Sequence, residues 1–131
     1  MKKVQKRFSD KDSIALARTI AATAMDNKAE DVIIMDVRGL AAFTDFFVIM
    51  SGRSTRHVQS LAENVDKEVS SKRLSTSNTE GMQEGQWVLL DYNDVVVHIF
   101  YDDSRKFYDL EGLWHDAPRL SITEEAPGQE E

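Results

Sequence analysis

Apolar and polar positions alternate along this chain with two different periods, and the switches between them mark the elements. From Ser13 to Asp26, Leu16, Ala17, Ile20, Ala21 and Ala24 share one side, with Ile14 and Met25 at its edge; Arg18, Thr19, Thr23 and Asp26 share the other. That spacing predicts an amphipathic helix, with Ser9 or Asp12 as its N-cap. Val32–Val37 and Phe46–Met50 are short, nearly unbroken apolar runs, which predict buried strands. Arg38–Gly39 breaks the first, Ala41–Thr44 is a short connection, and Ser51–Gly52 closes the second. Ser54 or Thr55 then caps a second helix with apolar positions Val58, Leu61, Ala62, Val65 and Val69. Backbone N–H groups at that helix start, with Arg53 and Arg56 nearby, could hold an anion, but an ordinary cap after a strand is the favoured account.

Ser70–Gln86 has little periodicity and is the longest expected loop, although its start can extend the helix. Two apolar runs follow, Trp87–Leu90 and Val95–Tyr101, separated by the Asx-rich break Asp91–Asp94. β-branched and aromatic residues around such a break predict a hairpin. Asp102–Lys106 reads as a polar turn or short helix, and Phe107–Trp114 as a segment returning apolar groups to the body. The order is helix, strand, strand, helix, strand, strand and a short terminal element. That is an α/β fold with a mixed sheet packed by helices, since the second helix can cross between strands while the last pair is a hairpin. We expect a flexible stretch over residues 1–12, a single α/β domain over 13–120 and an acidic disordered tail over 121–131.

Side-chain alternation divides the hairpin. Trp87, Leu89 and Asp91 share one face and Val88 and Leu90 the other; on the next strand Val96, His98 and Phe100 oppose Val95, Val97, Ile99 and Tyr101. If both helices pack on one side, the other carries an aromatic and aliphatic patch bordered by Asp91 and Asp94, and such a patch is a candidate binding surface.

Charge sharpens that expectation. The net charge is −7, which disfavours direct binding to a duplex phosphate backbone. Residues 1–79 hold 13 Lys and Arg against 10 Asp and Glu, whereas residues 80–131 hold 3 against 13. The acidic half is the half with the aromatic strands, so its natural complement is a basic protein surface. Cysteine is absent, which excludes disulfide and thiol chemistry. No apolar run is long enough to span a bilayer, and the basic start MKKVQKRFSDKD has no apolar signal core behind it.

Catalytic chemistry is not written in these residues. Phe46–Ser51–Gly52–Ser54 looks like the strand, turn and helix entry of a nucleotidyltransferase. Such an enzyme holds its metals with paired carboxylates at alternate strand positions, and none of the strands here has that pair. His57, His98 and His115 stand in no ligand spacing. We therefore expect no enzyme, no metal and no cofactor.

Several blocks, in order, carry a family resemblance: Asp36–Leu40, Thr44–Ile49, Ser51–Gly52 and Ser54–Val58, then VLLDYNDVVVHIF and FYDLEGLW. Over about Ser13 to Pro118 the chain resembles the ribosomal silencing factor S, or Iojap, family. The resemblance implies a nucleotidyltransferase-like architecture without the catalytic carboxylates. It also implies a protein that binds the large ribosomal subunit through the basic ribosomal protein L-fourteen. Bound there, it would sterically block joining of the small subunit and so repress translation, in a bacterial cytoplasm. Trp87, Leu89, Asp91, Asp94, His98, Tyr108 and Asp109 match positions in the family's blocks, and face and charge make them the expected partner-binding residues. The alternatives are a nucleotidyltransferase-fold enzyme and an adaptor whose patch forms a homodimer when free.

Overall fold

A computed structural model describes residues 10–72 and 78–122. Residues 1–9 of the expected flexible start, residues 73–77 of the long loop, and the expected acidic tail from 123 onward lie outside those residues.

Helix α1 spans Asp10–Asp26. It begins earlier than expected, so Asp12 sits inside it, and Ser9 lies outside the described residues. Ala17, Ile20, Ala21 and Ala24 are buried, and their small side chains let the helix lie close to the sheet. Its end is a left-handed cap: Lys28 has φ 71°, its N–H reaches the Met25 carbonyl, and the Ala29 N–H reaches that of Ala24. Strand β1 (Glu30–Asp36) follows, with a bulge between Glu30 and Ile33 where Asp31 takes φ 50°. Strand β2 (Phe46–Gly52) is buried along its whole length, as its unbroken apolar run requires.

Ser54 caps helix α2 (Thr55–Lys72), its hydroxyl accepting from the His57 N–H at 3.0 Å. The five apolar positions expected to face inward, Val58, Leu61, Ala62, Val65 and Val69, are the five that are buried. Strand β3 (Asn78–Glu80) lies in the stretch expected to be loop. Its three exposed residues pair with strand β4 (Trp87–Asp91), which forms the hairpin with strand β5 (Val95–Tyr101). Helices α3 (Asp102–Tyr108) and α4 (Leu110–Leu113) and the two-residue strand β6 (Arg119–Leu120) complete the described chain.

The strand order is β3-β4-β5-β2-β1-β6. β2 and β5 are parallel, joined across α2, and the remaining neighbours are antiparallel. This is the mixed α/β sheet expected from the order of elements, and its edges are its shortest strands. Helices α1 and α2 both pack on one side, over Ile34, Phe46, Val48, Met50, Val88, Leu90, Val97 and Ile99. The opposite side holds Met35, Val37, Phe47, Ile49, Val96 and Phe100 under Leu110 and Ala117.

The hairpin tip is less polar in structure than in sequence. Asp91 accepts from the Asn93 N–H at 2.8 Å, and Asn93 takes φ 77°, an Asx-type turn. Tyr92, inside the expected polar break, is buried and donates its hydroxyl to Asp66 of α2 at 2.6 Å. No described helix is long and apolar enough to cross a membrane.

Candidate partner-docking face

The side of the sheet away from α1 and α2 is built around Trp87. β4 and β5 pair so that Trp87 lies opposite Phe100 and Leu89 opposite His98. The Trp87 ring stacks on Phe100 with centroids 4.9 Å apart, and Tyr108, arriving from α3, covers it at 4.7 Å. The indole N–H donates to His98 Nδ1 at 3.1 Å. From there aromatic contacts run on through His98–Phe47 at 4.9 Å, Phe47–Trp114 at 5.3 Å and Trp114–Phe43 at 6.4 Å. At the other end Phe107 meets Tyr108 edge-on at 5.1 Å. Rings therefore cross the face continuously, and their geometry is the offset and edge-to-face kind that aromatic quadrupoles favour.

Of the expected partner-binding residues, the structure brings five to the accessible part of this face. Trp87, Leu89 and Asp91 are half-buried on β4, and Tyr108 and Asp109 are exposed at the end of α3. Asp94 and His98 require a correction as contact residues. Asp94 is only 1% exposed, because the hairpin tip folds against the start of β2, where the Asp94 carbonyl accepts from the Asp45 and Phe46 N–H groups. His98 is only 5% exposed, in the central strand beneath Trp87 and Phe47. Burial pushes its pKa down to about 4, so the imidazole is neutral. With Nδ1 accepting from Trp87, the proton belongs on Nε2, which finds no hydrogen-bond partner among the described residues. His98 thus orients Trp87 from below.

Asp109 does two jobs in the backbone. It takes φ 48° where α3 stops, and its carboxylate accepts from the Gly112 N–H at 3.2 Å where α4 begins. A Cβ on Gly112 would meet the Asp109 carboxylate, so a larger residue there would push that side chain off its bond to the Gly112 N–H.

The expectation that Phe107–Trp114 returns apolar groups to the body holds only for Leu110 and the half-buried Trp114. Phe107 is 81% exposed and Leu113 74%, both on short helices packed over this face. Phe43 and Leu40, in the connection between β1 and β2, are exposed as well. Sequence reasoning missed these four. Their one signal was large apolar side chains in stretches too short or too polar to bury them.

Asp91 is half-buried and Asp103, Asp109 and Asp116 are exposed, and of the three Lys and Arg in residues 80–131, Lys106 and Arg119 are exposed with them. The third, Arg105, is buried against Glu111. No cluster of three or more His, Asp or Glu side chains suited to a metal ion occurs among the described residues. At the start of α2 two of the backbone N–H groups are already engaged: His57 Nδ1 accepts from the Arg53 N–H, and Ser54 from the His57 N–H. A polar groove between α1 and α2 is lined by Thr23, Asn27, Asn64 and Lys67, and there Asn64 donates to Asn27 at 2.9 Å.

Fold and face together define a small α/β domain, with the long helices α1 and α2 on one side of the sheet and an aromatic surface flanked by α3 and α4 on the other. The match to known proteins is specific. Residues 10–131 match the family model for the ribosomal silencing factor during starvation. The chain is 42% identical over 104 residues to ribosomal silencing factor RsfS of Bacillus subtilis, covering 79% of this chain and 88% of that one. It is 30% identical over 113 residues to the chloroplastic protein Iojap of Zea mays, covering 86% of this chain and 49% of that one. A crystal structure of a Chromobacterium violaceum protein superposes with a TM-score of 0.74 at 29% identity, covering 92% of this chain and 97% of the other. A Bacillus halodurans structure gives 0.69 at 34% identity, covering 86% and 99%. The chain belongs to the ribosomal silencing factor family.

Proposed function

We propose that this protein represses translation by docking the Trp87 face on the large ribosomal subunit, at the basic ribosomal protein L-fourteen, and standing in the way of the small subunit. Trp87, Leu89, Asp91, Tyr108 and Asp109 make the contact, while Asp94 and His98 hold the strands and the indole beneath it. One observation carries the reading. Nearly all the large apolar side chains left exposed among the described residues, Leu40, Phe43, Phe107, Tyr108 and Leu113, sit on or beside this one face, and Met25 alone lies on α1. Apolar anchors inside an acidic rim suit a basic protein partner, with the anchors supplying affinity and the rim supplying orientation and encounter rate. Occupancy and bulk are sufficient for such a mechanism, and the protein acts without catalysis.

The test is co-sedimentation of the purified protein with large subunits, followed by an association assay with small ones. The protein should travel with large subunits and reduce formation of the joined particle, less so as salt rises and screens the rim. Undiminished joining at saturating protein would refute the proposal.

A further inference from the structure

The arm that carries Phe107, Tyr108 and Leu113 has little reason to hold its position unaided. α3 has seven residues and α4 four, lengths at which an isolated helix does not persist in water. Its buried apolar anchor is Leu110 alone. Beside the exposed bond that the Ser104 hydroxyl donates to Gln86 at 2.7 Å and the Trp114 ring against Phe47, what ties it to the sheet is the Arg105 side chain, which is 10% exposed. Nε and Nη2 donate to the two oxygens of Glu111 at 3.1 and 2.8 Å, joining α3 to α4. Nη1 donates to Ser51 Oγ at 2.9 Å, at the end of β2, and to the Asp31 carbonyl at 2.8 Å, in the bulge of β1. A planar guanidinium bonded in three directions fixes orientation as well as distance.

We infer that Arg105 is a positioning residue for the docking face: bonded to Glu111, Ser51 and Asp31, it holds α3 and α4 so that Tyr108 seats on Trp87 while Phe107 and Leu113 project outward. Arg105 itself touches no partner. The inference rests on the docking reading above, because it assigns Arg105 a role in that same surface.

Arg105→Lys keeps the charge but offers a point donor that cannot reach Glu111 bidentately along with Ser51 and Asp31. Glu111→Gln keeps the shape and removes the ionic partner; it carries the test if the lysine variant does not fold. Nuclear Overhauser effects between the Tyr108 and Trp87 rings are measured in the free variants, beside the amide shifts of β2 and β5. Affinity for purified large subunits is measured in parallel. The expected result is weakened ring-to-ring Overhauser effects, unchanged central-strand shifts and affinity lower on the order of tenfold, the size of losing one well-seated aromatic anchor. A merely structural bond would instead lower the melting temperature and leave the ring stacking and the affinity of the folded protein intact, which would overturn the inference. Rings that separate while affinity stays at the parent value would also overturn it, provided Trp87→Ala loses binding. Should Trp87→Ala bind like the parent, the docking reading itself fails and the inference falls with it.

Discussion

Phe107→Ala separates the fold from the face more cleanly than any change on β4 or β5. Phe107 is 81% exposed, and its ring meets that of Tyr108 at 5.1 Å. Removing it forfeits an edge-to-face pair worth ~0.5–1.5 kcal/mol at most. Alanine's better helix propensity returns roughly 0.5 kcal/mol. Stability should therefore move by less than about 1 kcal/mol. Docking is another matter. A phenylalanine of this exposure leaves on the order of 160 Å² of ring free. If a partner covers half of that, burial at ~25 cal/mol per Å² contributes about 2 kcal/mol, or roughly thirtyfold in affinity. Met25→Ala is the control: it is 52% exposed but lies on α1, on the helix side of the sheet. Titration against large subunits, with thermal melts of each variant, gives both quantities. The reasoning is refuted if Phe107→Ala binds as well as the parent, or if Met25→Ala weakens binding equally.

Tyr92→Phe should lower stability by about 1.5 kcal/mol, since it removes the hydrogen bond of 2.6 Å that the Tyr92 hydroxyl donates to the Asp66 carboxylate, while docking stays unchanged; denaturant melts and the same titration check both. Asp109→Asn should keep the left-handed turn and the bond to Gly112 while removing a rim charge, so melts stay close to the parent and the salt dependence of docking becomes shallower. His98 has a folded pKa of about 4 against an ordinary 6.5, so the unfolded chain binds the extra proton between those values. Its contribution to stability should be complete above pH 6.5 and lost as pH falls toward 4, and His98→Gln should flatten that segment of the stability–pH curve. Glu111 and Asp36 are held below their ordinary values by hydrogen bonds from Arg105 and Arg38. Their contributions persist above the usual carboxylate range and disappear only at lower pH, so the histidine segment can be read apart from them.

Much of the scaffold follows from local pattern. The five-residue stripe of α2, the unbroken run of β2 and the Asx turn between β4 and β5 each carry their structure in a few neighbouring residues, because helical and strand periods and turn chemistry are short-range properties. Crossing by a helix and return by a hairpin were enough to require both parallel and antiparallel neighbours. The two hairpin faces also divided as alternation demanded, with Val88, Leu90, Val97 and Ile99 under the helices and Trp87, Leu89, His98 and Phe100 on the other side.

Tertiary packing decided the rest. β3 and β6, of three and two residues, have no period to detect and exist because a neighbouring strand offers them hydrogen bonds. Phe107, Tyr108 and Leu110 sit within four positions of one another and are similarly apolar, yet only Leu110 is buried, since the arm turns one side to the sheet. Asp94 and His98 read as surface residues until the start of β2 and the rings of Trp87 and Phe47 close over them. Arg105 finds its partners 54 and 74 positions away, in Ser51 and Asp31. Sequence neighbours set which way a side chain leaves the backbone; what meets it there is set by distant segments, and only the folded chain brings those segments together.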